Sequence, residues 1–311
     1  MPSSNEFDPA RPVDFGVVAG KTAIITGGAS GIGLGFATAL ATYGAQVFIL
    51  DNNDTLGHEA ETQNPSLEFI HTDVRSWDAQ HAAFKQVLSE SKEGRIDVVV
   101  TSAGVSSPNI KHIWLPQEGQ SMPSEPKKPS TPAMDVNLMG TFYTTHLALS
   151  YFVRQEATTF RPQLLLISGL AAYFGQGFNP DFNGANFGVR GMFKSLRREV
   201  PEVFGGFQVN LLAPTFTSTP MIGELEEMLT WRGAKIASVG DVVDAGVRCI
   251  CDEGVEGRAV AVGKAREGDP AGNPSSCRAP PAAAIAPAVK ATAKFERPAG
   301  TVLDKDDLLE A

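Results

Sequence analysis

Cysteine is scarce in this sequence, with three residues in 311, and their spacing does not match a disulfide framework. Cys249 and Cys251 lie two positions apart on a predicted helix, so their side chains point in different directions. Cys277 stands alone, and no Cys/His cluster with metal-ligand spacing occurs. We therefore expect structural thiols, no metal site and a reducing compartment, the cytoplasm.

Positive charge and long apolar runs are also lacking. The net charge is −9 and the isoelectric point is near 5.1, which argues against nucleic acid or an anionic membrane as a partner. No apolar run approaches the roughly 18 to 20 residues that cross a bilayer. The first eleven residues lack the basic start and apolar core of a secretory signal. Hydrophobic residues make up 42% of the chain, enough for a large core.

A glycine-rich stretch, residues 26–33 with the sequence TGGASGIG, joins an apolar β-branched run to a segment of helical periodicity. Strand, glycine turn and helix together favour a dinucleotide site, because the turn approaches the pyrophosphate and the helix N-terminus receives its charge. Ser30 has two open readings, a phosphate donor or a helix cap. The candidate cofactor-binding residues in this stretch are Gly27, Ser30, Gly31, Ile32 and Gly33.

Asp51 ends the second predicted strand, about 20 residues beyond the glycines, where a carboxylate can accept a hydrogen bond from a ribose 2′-OH. The same carboxylate would repel the 2′-phosphate of NADP. Neither Asn52 nor Asn53 supplies a compensating cation. The sequence therefore predicts NAD(H) in preference to NADP(H).

Strand and helix patterns alternate from residue 21, which predicts an α/β fold with a single Rossmann-type, doubly wound parallel sheet of about seven strands. We expect an N-terminal extension over 1–17, the folded domain over 18–265, and a disordered Pro/Ala/Gly-rich tail over 266–311. The predicted strands are 22–26, 46–50, 67–71, 96–101, 163–168, 207–212 and 258–262. The predicted helices are 31–43, 54–62, 77–91, 132–155, 182–200, 222–230 and 241–251.

The spacing Thr-Gly-x-x-x-Gly-x-Gly resembles that of the short-chain dehydrogenase/reductase family, and the resemblance runs from about residue 21 to about residue 263. Later landmarks carry it further, at residues 73–74, 102–104, 137–140 and 210–214. The sequence around Asn137 and residues 189–191 is most similar to the branch that contains 15-hydroxyprostaglandin dehydrogenase.

This resemblance implies further cofactor contacts. In the family, the residues after the third strand contact adenine, the end of the fourth strand lies beside the cofactor, and a loop after the sixth strand holds the nicotinamide carboxamide. The matching positions here are Asp73, Val74, Ser102, Ala103, Gly104, Pro214, Thr217 and Thr219. Ser102 departs from the usual asparagine, and Thr215 from a usual glycine. The resemblance also implies a homodimer or homotetramer built on helices 132–155 and 182–200.

The family's catalytic tetrad of asparagine, serine, tyrosine and lysine is matched at Asn137 alone. Gly169, Phe182 and Asn186 stand at the serine, tyrosine and lysine positions, and no Tyr-x-x-x-Lys occurs anywhere. Ser168 lies one residue early, and strand alternation predicts that it faces the opposite side unless a bulge turns it inward.

Asp181 precedes the residue at the tyrosine position and begins the predicted helix. Its carboxyl group could act as an acid or pair with a cationic substrate, and helix capping is the alternative. With Ser168 and Asn137, it completes the set of candidate catalytic residues.

Three functions remain open for a small-molecule substrate. The first is an NAD(P)H-dependent oxidoreductase with an atypical active site, acting on a bulky apolar compound such as an iminium of secondary metabolism. The second is a cyclase or isomerase without net redox chemistry. The third is an inactive, NAD-binding regulatory protein. Aromatic residues that could line an apolar pocket are Trp114, Phe174, Phe178 and Phe182.

Overall fold

The computed structural model describes residues 7–8, 11–107, 125, 128–177, 179–204, 206–231 and 233–263. Within them, seven parallel strands form one sheet in the order β3-β2-β1-β4-β5-β6-β7. From β1 the chain adds strands first on one side of the sheet, through β3, and then on the other side, from β4 onward. The carboxyl ends of β1 and β4 therefore flank the crevice in which such sheets bind ligands. The strands are β1 Thr22–Thr26, β2 Gln46–Asp51, β3 Leu67–His71, β4 Val98–Thr101, β5 Gln163–Ile167, β6 Gln208–Pro214 and β7 Ala259–Val262.

Helices cover both faces of the sheet, which explains why every residue of the central strands β1, β4 and β6 is buried, instead of every second one. One core cluster includes Phe36 and Val243, and the other includes Phe84, Phe152 and Phe193. The α-helices are α1 Gly31–Thr42, α2 Asp54–Gln63, α3 Trp77–Glu90, α4 Thr141–Phe152, α5 Pro180–Phe204, α6 Gly223–Trp231 and α7 Val239–Cys251. Short 3₁₀ turns occur at Phe15–Val18, Leu170–Ala172 and Pro220–Ile222.

The predicted α/β class and parallel sheet are confirmed, and the bounds of the strands and helices differ from prediction by a few residues. The helix predicted over 132–155 is present, but its first part, Met134–Gly140, is a π-helix that precedes α4. Hydrogen bonds from outside the helix explain this interruption of the regular ladder. The carbonyl of Gly140 accepts one from Gln80 Nε2 at 3.0 Å, and Asn137 binds the chain after β4.

The described part of the predicted N-terminal extension packs against the domain. Arg11 forms an ion pair with Asp252 at 3.3 Å, and Phe15 stacks on Tyr43 with 5.1 Å between ring centroids. The predicted tail over 266–311 lies outside the described residues. None of the helices described is both long and apolar enough to cross a membrane.

Candidate functional site

The glycine turn after β1 folds tightly against the carboxyl end of β4. Gly27 has φ +65°, and a Cβ there would lie 2.6 Å from Cα of Ala103. A Cβ at Gly33 would lie 2.1 Å from the carbonyl oxygen of Gly27. Both positions therefore need glycine, one for backbone conformation and close approach and the other for close approach alone. The two glycines thus let the turn, here called the glycine cradle, close tightly against the end of β4.

The N-terminus of α1 opens into this cradle. Ser30 occupies the N-cap position, but its side chain accepts no capping hydrogen bond, so its hydroxyl remains available to a phosphate. Thr219 closes the cradle from the loop after β6, with its Cγ2 3.4 Å from a Cβ built on Gly31. Ile32 packs partly into the core and anchors the first turn. Unpaired helix N–H groups at this end favour a bound anion.

Asp51 lies beside the same turn, at the carboxyl end of β2. Its Oδ2 accepts from Ala29 N at 3.2 Å, and its Oδ1 accepts from Asn53 N at 3.0 Å. A carboxylate has about four acceptor positions, so these two bonds fix its orientation and leave acceptor positions over. The arrangement suits a hydroxyl ligand.

Asp73 and Val74, to which the resemblance assigns the adenine contact, lie after β3. The Arg75 side chain binds the Asp73 carboxylate, with a shortest contact of 2.6 Å, and this hydrogen bonding lowers the pKa of Asp73 below its ordinary value. Val74 packs on Gly140 so closely that a Cβ there would lie 2.8 Å from Val74 Cγ2. The π-helix is thereby fixed against the segment that follows β3.

Gln80 reinforces this contact, and the sequence analysis did not single it out. The side chain is fully buried on α3, and its Nε2 donates to the carbonyl oxygens of Val74 at 2.6 Å and Gly140 at 3.0 Å. Thr144 donates to Gln80 Oε1 at 2.7 Å. The sequence signal that could have identified Gln80 was a glutamine on the apolar face of α3. Its partners come from three other segments, so they could not be inferred from spacing.

Asn137, the residue matched to the catalytic asparagine, holds the chain after β4. Its Oδ1 accepts from Val105 N at 2.8 Å and its Nδ2 donates to Val105 O at 3.0 Å. The start of this segment, directly after β4, is also fixed, because Ala103 N donates to Thr26 Oγ1 at 3.3 Å. A Cβ built on Gly104 would lie 3.6 Å from Asn137 Oδ1. Ser102, Ala103 and Gly104 thus lie at the carboxyl end of β4, beside the crevice; their contact with a cofactor stays a prediction.

The loop after Pro214 folds over the crevice. Thr217 is buried, and its hydroxyl donates to Thr215 O at 3.0 Å. The Thr219 hydroxyl donates to Thr217 O at 3.2 Å. The Cε of Met221, a residue that the sequence analysis missed, lies 3.7 Å from a Cβ built on Gly104. Met221 therefore adds an apolar surface above the strand end.

Gly169 and Asn186, at the family's serine and lysine positions, face each other. A Cβ on Gly169 would lie 3.3 Å from Asn186 Oδ1. Asn186 is buried, and its Nδ2 donates to Phe182 O at 2.9 Å. The expectation that Ser168 faces the opposite side is wrong, since its hydroxyl donates to Asn186 Oδ1 at 3.1 Å. Strand β5 ends at Ile167, so strand alternation does not extend to Ser168.

Asp181, in the first turn of α5, accepts a hydrogen bond from Ser107 Oγ at 2.6 Å. This bond joins α5 to the segment after β4. Phe174 and Phe182 are half-buried, whereas Trp114 and Phe178, also predicted to line the pocket, lie outside the described residues. Tyr173 packs against the core.

The crevice fits a nicotinamide dinucleotide. The glycine cradle, the open helix N-terminus and the Asp51 carboxylate suit a pyrophosphate and a ribose. The two ends of the molecule would be held by Asp73, by the strand end at Ala103 and by the loop with Thr219. Such a cofactor, when bound, supplies a hydride donor or acceptor. The chain's own residues then position it and select the substrate.

Comparisons with known proteins agree with this geometry. The sequence model described as short chain dehydrogenase matches residues 21–230. An NADP-dependent dehydrogenase of Phoma sp. is 41% identical over 273 residues, covering 84% of this chain and 80% of its own. A second NADP-dependent dehydrogenase, of Cochliobolus lunatus, is 44% identical over 260 residues, covering 79% and 89%.

A more distant relative and a solved structure extend the comparison. A 5′-hydroxyaverantin dehydrogenase of Emericella nidulans is 33% identical over 260 residues, covering 78% of this chain and 84% of its own. The 3-ketoacyl-(acyl-carrier-protein) reductase of Brucella melitensis, solved with NADH, superposes with a TM-score of 0.68 at 21% identity, covering 80% and 99%. At that identity the structural match shows a shared fold.

Proposed function

Because the chain belongs to the short-chain dehydrogenase family, we propose that it is an NAD(P)(H)-dependent oxidoreductase for a bulky, apolar small molecule of secondary metabolism, with an atypical active site. The observation that carries the proposal is the glycine cradle, in which Gly27 and Gly33 admit no Cβ and the N-terminus of α1 stays open. The half-buried Phe182 and the Met221 side chain over the strand end support an apolar substrate. The kinship to the 15-hydroxyprostaglandin dehydrogenase branch stays a prediction.

We propose NAD(H) as the preferred cofactor on the charge of Asp51. Its carboxylate is held beside the glycine turn by two backbone N–H groups, where a 2′-phosphate would meet a like charge. The relatives of Phoma sp. and Cochliobolus lunatus are named NADP-dependent, so the preference needs its own measurement. Parallel titrations with NADH and NADPH provide it, and tighter binding of NADPH would contradict the proposal.

The active site is atypical because no tyrosine or lysine stands where the family places its acid and its partner. A positioned general acid contributes about 10² to 10⁴ in rate, or roughly 3 to 5.5 kcal/mol of barrier. Ordinary ketone reduction would be slowed by this factor. Hydride addition to an iminium carbon needs no proton at that step, because the C=N π electrons become the nitrogen lone pair. The site therefore favours a substrate that already carries positive charge.

Spectrophotometry at the nicotinamide absorbance, combined with product analysis, distinguishes this function from the two alternatives. Substrate-dependent oxidation of NADH supports the oxidoreductase. Conversion of substrate without any absorbance change would instead show a cyclase or isomerase. Cofactor binding with no turnover of any apolar carbonyl or iminium compound would favour a regulatory protein.

Restoring the family residues tests the account of the missing acid. The triple variant Gly169→Ser, Phe182→Tyr, Asn186→Lys is expected to reduce ketones faster than the wild-type chain. A matched control carries Gly169→Ser and Asn186→Lys with Phe182 retained. If the control gains the same activity, the tyrosine position is not what limits the wild-type enzyme.

We also propose a homodimer or homotetramer built on α4 and α5, in the cytoplasm. Phe142 and Phe187 are 48% and 45% exposed on these helices, and a partner subunit would cover them. Cys249 and Cys251 are buried on α7, and the cytoplasm is proposed on the low cysteine content of the sequence. Light scattering of Phe187→Glu should show a smaller particle than wild type, and an unchanged mass would exclude Phe187 from an interface.

A further inference from the structure

A cluster of charged side chains lies at the carboxyl ends of β2 and β3, beside Asp51, to which the fold assigns the ribose of a bound dinucleotide. Asp51 is paired with His71 in the parallel register of these strands, and neighbouring strands run about 5 Å apart. The pair two residues earlier, Ile49 and Phe69, packs on one core cluster. Because strand side chains return to the same face at every second residue, Asp51 and His71 project together from that face of the sheet.

His71 is held in place by the first residue of α2. Its Nδ1 lies 2.6 Å from Asp54 Oδ1, and because an ionised carboxylate can only accept, the hydrogen of this bond is on Nδ1. The ring therefore gains and loses its proton at Nε2. The side chains of His71 and Asp54 are 58% and 64% exposed, so the protonation of the ring responds to the pH of the solution.

Further charges around His71 come from the segment after β3 and from the π-helix. The hydrogen bond from Arg75 is the main cause of the lowered pKa of Asp73, and the charge of His71 contributes to it. Arg75 in turn is influenced by the charge of Asp135 on the π-helix. Carboxylates therefore outnumber guanidinium groups around His71, in a set formed by Asp51, Asp54, Asp73, Arg75 and Asp135.

We propose that His71 is a specificity-determining residue of the cofactor site, and that its protonation weakens the exclusion of NADP(H) by Asp51. The inference rests on the oxidoreductase function proposed above and adds a regulation of its cofactor choice. A 2′-phosphate carries a charge of about −1.5 to −2 at neutral pH, which the Asp51 carboxylate repels. A protonated His71 on the same sheet face attracts this charge, whereas the 2′-hydroxyl of NAD(H) is neutral. Acidification should therefore narrow the preference for NAD(H).

Calorimetric titrations of the full chain with NAD⁺ and NADP⁺ test the proposal. They are run at about pH 8 and about pH 6, the interval in which histidine ordinarily changes charge, and at low ionic strength to limit screening. The quantity compared is the ratio of the dissociation constants, NADP⁺ over NAD⁺. One charge about 8 Å from a phosphate in water changes affinity by roughly three- to tenfold. We expect the wild-type ratio to fall by at least this factor on acidification.

Two variants separate the histidine from the ligand, because the 2′-phosphate itself takes up a proton near about pH 6. His71→Gln keeps an amide N–H for Asp54 and has no charge, so its ratio should fall by about three- to tenfold less than the wild-type ratio. His71→Lys stays positive, so it should already have the lower ratio at the higher pH. An equal fall in wild type and His71→Gln would overturn the proposal.

His58→Gln is the matched control. His58 is also an exposed histidine beside a carboxylate, with Nδ1 3.0 Å from Glu61 Oε2, but its ring packs on Phe69, two residues before His71. This variant should keep the wild-type response to pH. Loss of the response in His58→Gln would place the responsible charge away from His71 and overturn the proposal.

The NAD⁺ titration at the higher pH reports separately on the proposed function. If NAD⁺ binds and the ratio does not depend on His71, this inference alone fails. If neither nucleotide binds at either pH, the oxidoreductase proposal fails, and the inference that rests on it fails with it.

Discussion

Replacing Gln80 tests whether the adenine side and the π-helix are held together by one buried amide. Gln80→Met keeps the length of the side chain and removes both hydrogen-bonding atoms. The Thr144 hydroxyl lies 2.9 Å from Gly140 O, so it can turn from Gln80 and satisfy that carbonyl. Val74 O loses its 2.6 Å donor. The substitution therefore leaves one buried acceptor without the donor that it has in the wild type.

Such an acceptor costs about 1 to 3 kcal/mol of unfolding free energy, which for a domain of this size is a fall in Tm of about 2 to 12 °C. Because the resemblance assigns the adenine contact to Val74, we also expect NADH affinity to fall severalfold. Circular dichroism melts and NADH fluorescence titrations measure the two effects. Thr144→Val is the matched control: it leaves Val74 O bonded to Gln80, so it should destabilise without weakening NADH binding. Equal Tm and equal NADH affinity in Gln80→Met and wild type would refute the reasoning.

Three further outcomes follow from the site. Gly33→Ala should reduce NADH affinity by about 100-fold or more, because its Cβ would meet Gly27 O at 2.1 Å and the turn must open. An unchanged NADH affinity would show that the glycine cradle is not the cofactor site. Arg75 lowers the pKa of Asp73, so the Asp73 carboxylate is ionised at neutral pH. The contact that we expect it to make with NADH is lost as the pH falls through the lowered pKa. In Arg75→Met that pKa rises towards its ordinary value of 3.8, so the acid-side loss of NADH affinity should begin at higher pH in titrations that extend below about pH 4. Asn137→Ala removes two hydrogen bonds to the chain after β4 and should lower the free energy of unfolding in urea by about 1 to 3 kcal/mol.

The features that sequence reasoning recovered are local ones. The turn of Gly27 and Gly33 is specified by consecutive residues between a strand and a helix, and Asp51 follows from the length of one β-α-β unit. The alternation of strand and helix patterns predicted a doubly wound sheet, and the two core clusters confirm it.

The features that it missed depend on contacts between distant segments. Gln80 and Gly140 are 60 positions apart, and their hydrogen bond helps to set the π-helix that periodicity alone read as α. Ser168 turns to Asn186 because β5 ends one residue earlier. Met221 reaches Gly104 only through the fold of the loop after β6. In each case the tertiary contact overrides the local pattern.

The measurement that tests the account most directly is a fluorescence titration of the purified protein with NADH and NADPH, alongside Asp51→Ala. Asp51 is held at the glycine turn by Ala29 N and Asn53 N, so its charge acts on the ribose position. The account predicts micromolar binding of NADH, weaker binding of NADPH, and loss or inversion of that preference in Asp51→Ala. Binding of neither nucleotide would contradict the account.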